Sequence, residues 1–136
     1  MGGRRHTTLR SAYSETFNGG PTVLLWGDAA GMRALSDFLR RTLIASSAMT
    51  LSEFCEHVDG KMISVRMRAN RRDTGMRLNH EGLEWTLRPQ SADDFAELVD
   101  VLAAPGKSGH QYLTCGVTDE ITVMVSHGEY PENLRP

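Results

Sequence analysis

The stretch Val23–Leu43, VLLWGDAAGMRALSDFLRRTL, contains the pattern that decides the fold. It opens with an apolar run typical of a strand, and Asp28 follows where a short carboxylate can cap the first turn of a helix. Beyond the cap, apolar residues return at intervals of three and four, which predicts an amphipathic helix over 29–44. The apolar stripe of this helix consists of Met32, Leu35, Phe38, Leu39 and Leu43.

The segments on either side of this helix alternate apolar and polar residues, as half-buried strands do. Asn18-Gly19-Gly20 predicts a hairpin turn between a strand that starts at Tyr13 and the strand that ends at Trp26. Further strands are expected at 49–54, 62–68, 76–78 and 83–87, with turns at 59–60, 70–75 and 80–82. Residues 1–12 are expected to form a flexible N-terminal arm, and 13–136 a single domain.

The second half of the chain repeats the order of strand, cap, helix and strand pair. Residues 83–102, LEWTLRPQSADDFAELVDVL, can be laid over the first stretch, with Ser91 as the expected cap and Pro105-Gly106 as the stop. A final strand pair is expected at 112–115 and 121–125. The halves thus resemble two β-α-β-β units, by duplication or by convergence. We expect an α+β fold in which two helices pack on one face of an antiparallel sheet of about six to seven strands.

Composition indicates a globular protein. The chain has 136 residues, of which 40% are hydrophobic and 24% charged. No apolar run approaches the roughly 20 residues of a membrane span, and the basic N-terminus lacks the apolar segment of a secretory signal. Cys55 and Cys115 are therefore expected to be reduced thiols in the cytoplasm.

The stretch 110–131, HQYLTCGVTDEITVMVSHGEYP, raises the question of a metal or catalytic site. The ligands of zinc sites commonly occur as pairs that are close together in the sequence, whereas the histidines and cysteines of this chain are widely spaced. His110 and Cys115 stand five positions apart, so on one strand they would point to opposite faces. We predict semi-buried cysteines beside surface histidines, with no catalytic residue, metal or cofactor.

Charge is distributed unevenly along the chain. Residues 1–77 carry 12 basic and 7 acidic residues, whereas 78–136 carry 3 basic and 10 acidic. An acidic stripe on the second helix and the acidic, Tyr-containing tail are the candidate surfaces for a protein partner: Asp93, Glu97, Asp100, Glu129 and Tyr130. A basic cluster, which resembles a nucleic-acid contact but lacks interleaved aromatic residues, contains Arg66, Arg68, Arg71 and Arg72.

Two segments, 23–43 and 110–131, resemble a group of small bacterial α+β proteins, some of them assigned as immunity proteins of polymorphic-toxin systems. The matching residues are Gly27, Asp28, Gly31, Met32, Leu35, Leu39, His110, Tyr112 and Leu113, and Thr114 and Cys115 stand where an acidic residue is more usual. The resemblance implies a non-catalytic protein that binds and occludes a basic toxin. A small secretion-type chaperone, a nucleic-acid accessory protein and a small hydrolase remain alternatives, as does self-association as a homodimer.

Overall fold

The computed structural model describes residues 9–44, 49–50, 56–57, 65–80, 82–104, 106 and 108–130. Within this part of the chain the α+β class is confirmed. The elements are β1 (Leu9–Ser14), β2 (Thr22–Gly27), α1 (Ala29–Ile44), β3 (Met49–Thr50), β4 (Glu56–His57), β5 (Val65–Ala69), β6 (Gly75–Asn79), β7 (Gly82–Leu87), α2 (Pro89–Leu102), β8 (Gly109–Tyr112) and β9 (Thr122–His127), with one 3-10 turn at Phe17–Gly19. Among these elements, no helix combines the length and hydropathy that a bilayer-spanning segment needs.

The strands form two mixed sheets. The first sheet has the order β4-β1-β2-β9-β8, and the second has the order β3-β5-β7-β6. The hairpins β1·β2 and β6·β7 and the pairs β8·β9 and β3·β5 are antiparallel, as expected. The central pairs β2·β9 and β5·β7 are parallel. The sequence predicts a single antiparallel sheet, and the difference arises because each closing strand pairs with the hairpin of the other half.

Apart from β4, the strands of the two described sheets follow equivalent orders. The strand order β1-β2-β9-β8 in the first sheet corresponds to β6-β7-β5-β3 in the second. Each sheet therefore takes a hairpin from one half and a strand pair from the other. This arrangement agrees with the two repeated units that the sequence suggests. In addition, the closing strand pair of each half joins the sheet that contains the hairpin of the other half.

The helices cross on equivalent residues. Ser36 Oγ lies 3.4 Å from the Ala96 carbonyl oxygen, and Arg40 Nη2 donates to Asp100 Oδ2 at 2.6 Å; each pair is separated by 60 positions. Contact between equivalent residues is what a two-fold axis through an interface produces. Ser36 and Ala96 are buried, so the small side chains allow the helices to approach closely.

Two sequence predictions are corrected at element boundaries. Residues 9–12, assigned to a flexible arm, form most of β1, and Leu9 is fully buried. The strand extends because Leu9 supplies an apolar anchor four residues before Tyr13. In α2, Pro89 starts the helix and Ser91 lies inside the first turn, since the fixed φ of proline suits a first helical position. In α1, the predicted cap is confirmed: the Gly31 N–H donates to Asp28 Oδ1 at 2.9 Å.

Candidate interaction surface

The acidic stripe of α2 is divided between the helix interface and solvent. Asp100 accepts hydrogen bonds from Arg40 and from the Ser36 hydroxyl at 2.5 Å, and Asp93 Oδ1 lies 4.0 Å from Arg40 Nε. The hydrogen bond from Arg40, helped by that from Ser36, lowers the pKa of Asp100, and the same contact raises the pKa of Arg40. These two carboxylates therefore help to hold α2 against α1.

The outward side of α2 carries the rest of the stripe. Glu97 is exposed, and Val101, one turn further on, is 67% exposed. Asp94 is also exposed and accepts from Gln90 Nε2 at 2.9 Å. This side of α2 is an acidic surface that also contains an aliphatic residue. Of the predicted stripe, Glu97 is the residue directed towards solvent, away from α1.

Glu129 and Tyr130 are anchored on the first sheet. Glu129 Oε1 accepts from the Ser126 hydroxyl at 2.6 Å and lies 3.1 Å from His110 Nδ1. The hydrogen bond from Ser126, followed by that from His110, lowers the pKa of Glu129. The Tyr130 ring meets the Phe17 ring edge-on, with centroids 6.2 Å apart.

These residues belong to one face of the first sheet, which we call the outer face. Side chains alternate between the faces of a strand, so Val23, Val123 and Val125 enter the main core while their neighbours point the other way. Leu24, Trp26 and Met124 form a second buried cluster with Ala12, against which Phe17 and Tyr130 pack. His110 and Tyr112 are paired in register with Ser126 and Met124 and so lie on this same face.

An open pocket lies at one end of the outer face. Its volume is about 340 Å³, and it is lined by residues 19–22, Tyr112, Glu120 and Thr122. Thr22 and Thr122 are neighbours at the start of the parallel strands β2 and β9. Tyr112 is 49% exposed, so its ring forms a wall that solvent reaches.

Glu120 is held by a cradle of backbone N–H groups from Cys115, Gly116 and Val117. The donor–acceptor distances are 2.7 Å from Cys115, 2.9 Å from Gly116 and 3.3 Å from Val117. The cradle fixes the carboxylate against the backbone of residues 115–117. Gly75 adjoins it closely, since a Cβ built on Gly75 would lie 2.3 Å from Glu120 Oε2. Sequence analysis did not select Glu120, although a carboxylate after a glycine-containing loop and just before a strand was the available signal.

The basic cluster lies mainly along β5 and the loop that follows it. Arg66 pairs in backbone register with Glu84, and Arg68 Nη1 lies 3.7 Å from Glu84 Oε2. Arg71 and Arg72 are exposed beside Asp73, whose carboxylate accepts from the Arg88 N–H. The cluster therefore has carboxylates next to it, and its contact with nucleic acid remains a prediction.

The cysteine and histidine positions differ in environment. Burial raises the pKa of the Cys115 thiol to about 12, and the carboxylates of Glu120 and Asp73 act in the same direction. Cys55 lies outside the described residues. Within the described residues, no group of three or more His, Cys, Asp or Glu side chains is arranged to hold a metal ion.

His127 is a correction to the prediction of surface histidines. It is only 8% exposed, and its Nδ1 lies 2.5 Å from the carbonyl oxygen of Leu102. Because the last carbonyls of a helix lack partners within the helix, a protonated Nδ1 satisfies one of them and joins β9 to the end of α2. This histidine has a structural role.

The described residues thus form a pocket that Tyr112 and Glu120 line, at the end of the face that also carries Glu129 and Tyr130, and a separate acidic surface on α2. Comparison with protein families, with curated proteins and with solved structures finds no match to this chain.

Proposed function

We propose that this chain is a non-catalytic protein-binding protein that occludes a basic partner, in the manner of a bacterial immunity protein. The observation that carries the proposal is the half-exposed Tyr112 ring beside an open pocket that Glu120 and Thr122 also line. Tyrosine is enriched among the residues that contribute most to protein interfaces, because its ring provides a large contact area with little loss of side-chain entropy.

Charge indicates the chemistry of the partner. Glu129 lies on the outer face beside Ser126 and His110, and the chain from residue 78 onwards has an excess of acidic residues. Complementary charge on a partner accelerates encounter and fixes its orientation. A basic protein surface therefore fits this face better than an acidic or a purely apolar one.

The proposal includes a cytoplasmic location and a reduced state of the thiols. Cys115 is a free thiol, and free thiols persist in reducing compartments. Binding by occlusion also requires no turnover, which agrees with the raised pKa of Cys115, since a nucleophilic cysteine needs a lowered one.

Affinity capture from a lysate of the source cells, followed by mass spectrometry and by titration with the purified partner, tests this function. Tyr112→Ala changes the outer face, and Val101→Ser changes the outward side of α2; both positions are exposed, so both variants are expected to fold. We expect a basic partner that Tyr112→Ala binds at least about tenfold more weakly, while Val101→Ser binds normally.

The opposite result would place the interface elsewhere. Loss of binding with Val101→Ser or Glu97→Lys, and normal binding with Tyr112→Ala, would assign the contact to α2 and refute the outer face. If no basic partner is captured, or if neither variant weakens its binding, the proposed function is refuted.

A further inference from the structure

We propose that β8 is a self-association edge, which pairs antiparallel with β8 of a second copy of this chain. This pairing does not depend on the proposed function, because the outer face stays open to a partner in such a dimer. Three features indicate it: the direction of the backbone groups of β8, the side chains that this strand presents, and the exposed side of α2 above it.

β8 is the last strand of the first sheet, and its outer edge is open. The Leu113 N–H, which directly follows β8, donates to the carbonyl of Val123 at 2.9 Å. In an antiparallel ladder, hydrogen-bonded pairs alternate with pairs whose backbone groups point away. Gln111 therefore bonds to β9, whereas the N–H and C=O groups of His110 and Tyr112 point outwards. Within the described residues, these outward groups have no backbone partner.

The other described sheet edges are shorter or already in use. β3 and β4, which end their sheets, contain two residues each. On the edge strand β6, the carbonyl of Met76 accepts from the Ile121 N–H at 2.8 Å. Sheet edges are commonly protected by charged side chains, proline or a bulge. β8, GHQY, contains no Lys, Arg, Asp, Glu or Pro, and it pairs with β9 in an unbroken register. Of the described edges, β8 is therefore the one best suited to accept another strand.

The sequence of β8 is complementary to itself in the antiparallel direction. The register that uses all the outward groups places His110 opposite Tyr112 of the second copy, where each pair exchanges both of its N–H···O bonds. Gln111 then lies opposite its own equivalent, on the two-fold axis. The rings of histidine and tyrosine become neighbours on the outer face, where aromatic cross-strand pairs stabilise a sheet. The two glutamine amides meet on the other face, and each can both donate and accept.

α2 supplies an apolar contact beside this edge. Over the first sheet, α2 packs on β8 and β9, whereas α1 packs on β1 and β2. Ala96 and Asp100 contact α1, so at roughly 100° per residue Val101 is turned away from α1, on the side of the open edge. Val101 is 67% exposed. Its neighbour Leu102 lies 3.7 Å from a Cβ built on Gly109, which places Val101 close to the two-fold axis.

The spacing of these elements allows the two copies of α2 to touch. Neighbouring strands lie about 4.8 Å apart, so a helix above β8 and β9 lies about 5 Å from the two-fold axis. The two copies of α2 would thus be about 10 Å apart, at the upper end of the range for packed helices. They would run antiparallel, with Val101 covered by its equivalent. Asp93 and Asp94, near the start of α2, would lie far from their equivalents, so the acidic ends do not repel each other.

An exchange of charge at Gln111 tests the pairing. Because this position faces its own equivalent, Gln111→Lys or Gln111→Glu places like charges across the axis and should weaken self-association at least about tenfold. An equimolar mixture of the two variants places opposite charges there and should restore the dimer. Analytical ultracentrifugation measures the dissociation constants, and circular dichroism checks that each variant is folded. Gln90→Lys, at an exposed position at the start of α2, is the matched control and should dimerise like the unchanged chain.

Amide hydrogen exchange measures the proposed bonds directly. The N–H groups of His110 and Tyr112 point outwards in the single chain and should exchange rapidly at low protein concentration. As the concentration rises and the dimer forms, the exchange of these two amides should slow. The amide of Gln111, which points towards β9, should be protected at every concentration and serves as the internal control.

A chain that stays monomeric at every protein concentration reached overturns this pairing. It is also overturned by a dimer that Gln111→Lys leaves unchanged, or by variants that do not recover dimerisation when they are mixed. Exchange of the His110 and Tyr112 amides that does not depend on concentration would likewise overturn it. None of these results decides whether a basic partner is captured, so self-association and the proposed function can fail separately.

Discussion

Replacing Gly75 by alanine measures how firmly the Glu120 carboxylate is held in its cradle. Gly75 has a φ of +72°, in the left-handed region, and its added Cβ would lie 2.3 Å from Glu120 Oε2. A free carboxylate would simply rotate away. Here rotation breaks hydrogen bonds to the N–H groups of Cys115, Gly116 and Val117, so the substitution acts on the backbone and on the cradle together.

The expected loss of stability has two parts. A residue other than glycine in the left-handed region costs about 1–2 kcal/mol. Displacing the carboxylate weakens one or more charge-assisted hydrogen bonds, each contributing about 1.5–3 kcal/mol at most, and partial exposure of Glu120 reduces this figure. We therefore expect Gly75→Ala to lower the free energy of unfolding by about 2–4 kcal/mol. With a typical urea dependence, the unfolding midpoint falls by roughly 1–2 M.

Gly106→Ala is the matched control. Gly106 has a φ of +76°, and nothing lies within 4 Å of an added Cβ, so it should lose only the backbone part, about 1–2 kcal/mol. Urea unfolding followed by circular dichroism compares the two variants. In a Glu120→Ala background, Gly75→Ala should fall to the value for Gly106→Ala, as a double-mutant cycle would show. Equal losses for Gly75→Ala and Gly106→Ala in the unchanged background would refute the cradle argument.

Three further predictions concern acid stability, packing and reactivity. Burial raises the pKa of Asp73, but hydrogen bonds from the Arg88 N–H, the Ser91 hydroxyl and the Arg88 guanidinium outweigh burial and leave this pKa lowered. The ionised carboxylate therefore stabilises the fold at pH values above the unfolded pKa of about 3.9. This stabilisation is lost as the pH falls through the folded pKa. Asp73→Asn should therefore lower the free energy of unfolding by about 1–2 kcal/mol at pH 7, and its free energy of unfolding should fall less steeply below pH 4 than that of the parent. Equal slopes below pH 4 in both proteins would contradict this. Ala96→Leu should lower the free energy of unfolding by about 1–3 kcal/mol because its larger side chain overfills the space where the helices cross. If the thermal midpoint of this variant equals that of the parent, α1 and α2 do not approach closely at this position. In a variant that lacks the other cysteine, Cys115 should react with iodoacetamide at pH 8 roughly a hundredfold or more slowly than in urea-unfolded protein, and equal rates would contradict a raised pKa.

Local features of the fold could be predicted from the sequence because they depend on neighbouring residues. The helix over 29–44 matches α1, since its apolar spacing and its Asp28 cap act within a few turns. The β6·β7 hairpin follows from alternation on both sides of a short turn. The sequence places the start of α2 three residues late, because Ser91 is a typical cap residue, whereas Arg88 is the cap and Pro89 the first helical residue.

Strand partners and the pocket depend on residues far apart in the chain. Thr22 pairs in register with Thr122, a separation that no local pattern reveals. Asp100 is exposed, as its place in the acidic stripe predicts, but its hydrogen bond from Arg40 on the other helix becomes visible only in the fold. The pocket combines a turn before β2, the end of β8 and a residue before β9, so its composition becomes visible only with the fold.

The exchange of strand pairs between the halves also determines how the chain can be divided. A cut in the loop between Arg71 and Arg72 leaves an N-terminal fragment with the hairpin β1·β2 and the pair β3·β5, which belong to different sheets. Neither fragment then contains a complete sheet, and each exposes the apolar face of its helix. Fragment complementation should therefore be obligatory, with each piece folding as it wraps around the other. A reporter built on this chain would give its signal only when both fragments are brought together.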